Sequence, residues 1–117
     1  MNNSLLGKLH TYANRKARML TPILIAEIEI TSLPDGTIGQ LYTLVNNHNQ
    51  TIGYGIPLDK EWFYANTNNP RKIKCVICHE LAHIRVPMKH DKEFVRTARM
   101  LGAGSDAGEY VDNMGVV

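Results

Sequence analysis

The stretch Cys75-Val76-Ile77-Cys78-His79-Glu80-Leu81-Ala82-His83 constrains this chain more than any other. It contains H-E-x-x-H, a pattern that can hold a catalytic zinc ion when it lies on a helix. Four residues are slightly more than one helical turn, so His79 and His83 share a face, roughly 40° apart. Both imidazoles can then reach one metal. Glu80 stands roughly 100° round from His79. That points it beside the metal, where a general base for an activated water belongs. The competing reading is an ordinary amphipathic helix with solvated or hydrogen-bonded histidines. It leaves Glu80 unexplained, because that residue falls inside the apolar stripe of Ile73, Val76, Ile77, Leu81 and Ile84. A carboxylate there costs free energy unless it has a task or a partner. Burial should raise its pKa, and a nearby zinc ion should lower it.

Catalytic zinc takes three protein ligands and keeps a fourth position for water. His90 is the obvious third ligand. Pro87 stands between it and His83, disfavours helical backbone at Val86 and should end the helix near Arg85. The chain can then turn back and offer His90 from outside the helix. The other view of His90 is a surface histidine in a basic loop with Lys89 and Lys92. Asp91, Glu93 and Glu109 are the alternative third ligands.

These residues resemble a known family. His79-Glu80-Leu81-Ala82-His83, a short loop with Pro87, and His90-Asp91-Lys92-Glu93-Phe94 look like the SprT-like metallopeptidases and the related YgjP-like group. The likeness is sharpest over residues 70–101 and looser over the strands before them. The spacing from His83 to His90 is one residue longer than the YgjP-like pattern, and Val95 stands where an aromatic is common. The resemblance implies a zincin fold with one zinc ion on His79, His83 and His90, and Glu80 as catalytic acid and base. Some members act on proteins attached to DNA, which makes DNA-associated proteins a candidate partner class. The zinc ribbon found at the C-terminus of some members has no counterpart here.

Two other metal chemistries use the same letters. Cys75-Val76-Ile77-Cys78-His79 spells C-x-x-C-H, the haem attachment pattern. A c-type cytochrome would need export and a distal ligand, for which Met88, Met100 and Met114 are available. It would leave Glu80, His83 and His90 without a task. A structural zinc site on Cys75 and Cys78 would need a second ligand pair, and the chain has only two cysteines. Both thiols read instead as small core or boundary residues. His48 sits in a polar turn and reads as solvated.

A length of 117 residues fits one domain with one modest core. We expect that core over about 4–102, with 103–117 as a flexible tail. The net charge of +2 is too small to argue for nucleic acid by itself. No apolar run is long enough to span a membrane, and Met1-Asn2-Asn3-Ser4 carries no basic region feeding an apolar stretch. A cytoplasmic location with reduced cysteines is therefore expected.

Residues 3–20 have a helical period and a basic face of Lys8, Arg15, Lys16 and Arg18. That face reads as solvated before it reads as a nucleic-acid or acidic-protein surface. Thr21-Pro22 should stop the helix. Ile23 to Thr31 has strand chemistry, Pro34-Asp35-Gly36 is a turn, and Thr37 to Val45 is a second strand, together predicting a hairpin. After the turn at Asn46–Asn49, Gln50 to Leu58 is a third strand. Its glycines Gly53 and Gly55 suggest a bend or an edge that receives an extended peptide. Asp59 to Ala65 is a short helical turn whose aromatics pack on the core. Asn69-Pro70 opens the H-E-x-x-H helix, predicted to run to Arg85. Asp91 caps a last helix from Lys92 to Leu101, closed by Gly102. Tyr54, Tyr64 and Tyr110 are equal candidates for polarising a substrate carbonyl.

The expectation is an α+β domain with an N-terminal helix, a three-stranded mainly antiparallel sheet, the H-E-x-x-H helix and a closing helix. Its expected function is zinc-dependent peptide hydrolysis of a polypeptide substrate, with Glu80 as general base. The alternative is a non-catalytic, zinc-stabilised binding module acting on DNA-associated proteins.

Overall fold

Asp59 joins the two halves of the fold, because its carboxylate accepts hydrogen bonds from the backbone N–H of Leu33 at 3.0 Å and of Trp62 at 3.2 Å. These charge-assisted bonds hold its pKa below the ordinary carboxylate value. The second bond caps a helix, and the first anchors the long connection between two strands. The computed structural model describes residues 2–87 and 90–103. Its elements run α1 (Asn2–Ala17), β1 (Ile25–Thr31), β2 (Tyr42–Val45), β3 (Thr51–Asp59), α2 (Lys60–Ala65), α3 (Pro70–Ala82) and α4 (Lys92–Leu101). The result is a compact α+β fold of four helices and a three-stranded mixed sheet.

The sheet differs from the expected hairpin. Strand order is β1-β3-β2, with β1 parallel and β2 antiparallel to β3. The turn at Pro34-Asp35-Gly36 is present, with Thr37 N–H donating to Pro34 C=O at 2.9 Å, but it does not fold β2 onto β1. The chain crosses the end of β3 instead. Ile38 C=O accepts from Asp59 N–H at 2.7 Å, Gly39 bridges Leu58, and Gln40 N–H donates to Pro57 C=O at 3.1 Å. The physical reason lies in β3, whose residues Gly53 to Leu58 are all buried while β2 is exposed throughout. A strand buried on both faces belongs in the middle, and a short exposed strand belongs at an edge. Gly53 and Gly55 therefore lie in the central strand, not on an edge. Gly55 faces Tyr42, its partner across the ladder, and the Tyr42 ring occupies the space a Cβ would fill.

Both flanking helices end as their caps dictate, with small shifts. Helix α1 stops at Ala17, three residues before the predicted end, and unwinds through i→i−3 bonds from Met19 and Leu20. Helix α4 has the predicted bounds: Asp91 accepts from Phe94 N–H at 3.0 Å, and Gly102 closes it at φ 148°. Ala103, placed in the predicted tail, is buried and donates its N–H to Ala98 C=O. The rest of that segment, with Glu109, Tyr110 and Met114, lies outside the described residues, as does Met88. In α2, Phe63 is buried and Trp62 packs against the core, but Tyr64 is exposed.

The core lies between the sheet and α1, α3 and α4. It joins Leu9, Tyr12 and Ala13 of α1 to Ile56 and Leu58 of β3, to α3 from Ile73 to Ala82, and to Phe94, Ala98 and Leu101 of α4. Cys75 and Cys78 are buried in α3, and Cys78 Sγ lies 3.3 Å from the Tyr12 hydroxyl. No described helix is long and apolar enough to cross a membrane.

Candidate metal centre

Helix α3 opens at Asn69-Pro70 as predicted. Proline at the first position loses an N–H that would have no helical partner there. Asn69 acts through its backbone, its C=O accepting from Lys72 and Ile73 N–H, and its side chain makes no cap bond. The helix ends at Ala82, three residues short of the predicted Arg85. Successive i→i−3 bonds from His83, Ile84 and Arg85 to Glu80, Leu81 and Ala82 tighten the last turn into Pro87. That turn carries the chain back over the helix end and delivers His90.

His79, His83 and His90 converge. One ligand atom from each lies within 4.8 Å of the others, close enough to bind a metal ion. His83 Nε2 and His90 Nε2 are 3.2 Å apart. Two nitrogens each about 2.05 Å from a tetrahedral zinc would be about 3.3 Å apart, so this edge of the triad has the right length. Val86 C=O lies 3.0 Å from His83 Nδ1. A carbonyl only accepts, so Nδ1 carries the proton and a neutral His83 presents Nε2 as a lone pair. Neither Asp91 nor Glu93 belongs to the cluster, and Asp91 is committed to capping α4.

Phe94 is the floor of the triad, a role not visible in the sequence. Its ring centroid is 4.7 Å from His79, 4.6 Å from His83 and 4.7 Å from His90. It is fully buried, so one side chain of α4 fixes the positions of three imidazoles from two elements. Phe94→Ala is expected to cost about 3–5 kcal/mol of stability and to weaken metal binding as the rings lose their support. Denaturant unfolding and metal titration on the same samples check both effects.

Burial separates the titrating groups. His79 is 1 % exposed, and its pKa falls from an ordinary 6.5 to about 3, first through burial and then through the charges of His83 and His90. It is therefore neutral at neutral pH, as a metal ligand must be. Glu80 is 0 % exposed, and no described residue hydrogen-bonds to either carboxylate oxygen. Burial raises its pKa from 4.5 to about 9. Gly39 lies directly against this carboxylate. A Cβ there would stand 3.6 Å from Glu80 Oε2 but only 3.0 Å from Val76 Cγ1. Gly39 is the one glycine of the predicted second strand, and a strand glycine often marks such a close approach.

The two shifts set a pH profile for metal-free protein. Below about 4.5, unfolded His79 is protonated while the folded group resists protonation, so stability falls as pH falls. Above 6.5, unfolded Glu80 is ionised while the folded group holds its proton towards 9, so stability falls as pH rises. Between these limits the two effects oppose each other. Thermal unfolding in chelator is expected to show its highest Tm between about pH 4.5 and 6.5, with added metal moving the maximum upward.

A cleft of about 620 Å³ opens beside the triad, between β2 and the C-terminal end of α3. Gly39 lies against Val76 and Glu80 of α3, and Thr43 pairs with Tyr54 across the ladder beside it. Leu41, Tyr42, Thr43 and Tyr54 line the cleft with Glu80, His83 and His90. Of the three tyrosine candidates, Tyr54 is thus at the cleft, while Tyr64 is not among its lining residues. In comparisons with known proteins, no family model, no curated protein and no solved structure matched this chain.

Proposed function

We propose that the chain is a zinc-dependent metallopeptidase, with His79, His83 and His90 as ligands and Glu80 as general base. The observation that carries this reading is the pairing of a fully buried, unpartnered carboxylate with three converging imidazoles. Burial of that carboxylate costs several kcal/mol without compensation, and a cation at the triad would provide it. The donor set suits zinc: three imidazoles, of which His79 is kept neutral by burial and His83 is oriented by the Val86 carbonyl, with a cleft left open on one side.

Bound zinc supplies Lewis acidity, activating water and polarising a carbonyl. The chain's own residues do the rest. Glu80 accepts the proton from water and delivers it to the departing amine. Phe94 keeps the ligands in register, and Val86 C=O holds the His83 tautomer. Substrate enters as an extended polypeptide along the outer edge of β2. That strand, Tyr42 to Val45, is exposed and carries no charge and no proline to prevent pairing with another strand. The cleft wall of Leu41 and Tyr54 suits an apolar side chain near the cleaved bond.

Hydrolysis of an unfolded, fluorescently labelled polypeptide by zinc-loaded protein tests the reading. Activity that disappears with chelator and returns with zinc is expected. Stoichiometric zinc binding with no hydrolysis of any unfolded substrate would make the chain a zinc-stabilised binding module instead.

A further inference from the structure

Charged residues make up 21 % of this chain, yet residues 36–58 contain no Asp, Glu, Lys or Arg. Burial accounts for part of that run, because Gly53 to Leu58 belong to the buried central strand. It does not account for Tyr42 to Val45 or for Ile52, which are exposed. An exposed edge strand ordinarily carries a charge or a proline that stops other chains from pairing with it, and this one carries neither. Its exposed side chains are largely apolar instead. Tyr42, Leu44, Val45 and Ile52 are four of the eight large hydrophobic side chains exposed among the described residues, with Val45 at 52 % and Ile52 at 60 %. They adjoin one another. Leu44 pairs with Gly53 and Val45 with Thr51, and Ile52 stands in the irregularity between the two pairs.

This strip has a direction. The segment before β2 meets Glu80 at Gly39, and Leu41, Tyr42 and Thr43 form the cleft wall beside His83 and His90. Leu44 and Val45 carry the same edge about 7 Å further from the triad. Towards the other end, Gln40, Gly39 and Ile38 are half-buried or buried. Exposed apolar surface therefore leaves the cleft along this edge on one side only. We propose that Leu44, Val45 and Ile52 continue the cleft as a docking strip for an uncharged, apolar stretch of unfolded polypeptide, and that the strip rejects side chains of either sign. Pairing with an edge supplies backbone hydrogen bonds whatever the sequence, so selectivity must come from side chains. A Lys or Glu laid on this strip would lose water and meet no counter-charge from residues 36–58, a cost that falls on both signs alike. The docking strip stands apart from the peptidase reading. Only its relation to a cleaved bond rests on that reading.

The test is fluorescence anisotropy of labelled ten-residue peptides with the full chain in chelator, where no metal-dependent cutting occurs. A peptide of Leu, Thr and Gln is expected to bind about tenfold tighter than versions with two of its residues replaced by Lys or by Glu. The two charged versions should be penalised equally, whereas a field from the net charge of +2 would favour Glu. Ile52→Lys should weaken binding of the uncharged peptide about tenfold, with Val45→Lys as a second variant at an exposed position. Leu24→Lys, at an exposed apolar residue before β1, should change nothing. Thr43→Lys should turn the preference, so that the Glu peptide binds up to about fivefold tighter than the Lys peptide. With zinc restored, charged residues should be depleted on one side only of the bonds cut in an unfolded polypeptide. Selective binding with no cutting would end the peptidase reading and leave the strip standing. Cutting with no selectivity in binding would do the reverse. Absence of binding to the uncharged peptide, a preference for one sign in the parent chain, depletion on both sides of the cut bonds, tighter binding to phosphatidylcholine vesicles, or a dimer that Ile52→Lys dissociates would each overturn the proposal.

Discussion

Glu80→Gln is expected to lower peptide hydrolysis by about 100-fold or more, the usual contribution of a positioned general base, while leaving zinc content unchanged. The amide has nearly the volume of the carboxylate and fits the same space against Gly39, but it cannot accept the proton. It also removes a buried ionisable group whose pKa stands near 9. The metal-free variant should therefore be more stable than its parent above pH 6.5, where the parent's stability declines. Both readouts bear on one residue, through activity with metal and through unfolding without it. Unchanged turnover in the variant would sink the general-base role. Unchanged alkaline stability would show that the carboxylate is not the strained group its burial implies.

Loss of a ligand is the second large effect. His79→Ala and His90→Ala should each weaken zinc binding by more than the 10–100-fold typical of losing a supporting outer contact, roughly a lower bound here. The two should differ in the metal-free state. His79 is buried in α3 against Phe94, so its truncation leaves a cavity and costs stability as well as affinity. His90 is exposed in the loop before α4, so its truncation should change affinity with little effect on unfolding without metal. Competition with a chromophoric chelator, alongside denaturant titration of the metal-free proteins, separates these outcomes. Full zinc occupancy in His90→Ala would remove it from the ligand set.

The features legible in the sequence were those set by local chemistry. Helix α4 could be bounded to the residue because Asp91 and Gly102 act within one turn of the backbone they cap. The convergence of His79 and His83 follows from helix pitch alone, and that of His90 from the stop imposed by Pro87. The strand order could not be read in the same way. Pro34-Asp35-Gly36 makes the same turn whether the following strand returns to β1 or crosses to the far side of β3. The choice depends on which strand the helices bury, a non-local property. The same holds for Phe94, whose place at the centre of three imidazoles needs α4 docked on α3.

Because Thr51–Asp59 supplies the ladder for both neighbouring strands, neither outer strand has a native partner until that segment has been synthesised. A chain elongated only as far as residue 50 carries β1 and β2 as two unmatched edges, one of them uncharged from Tyr42 to Val45. Truncated products ending before residue 51 should therefore be prone to self-association through those edges.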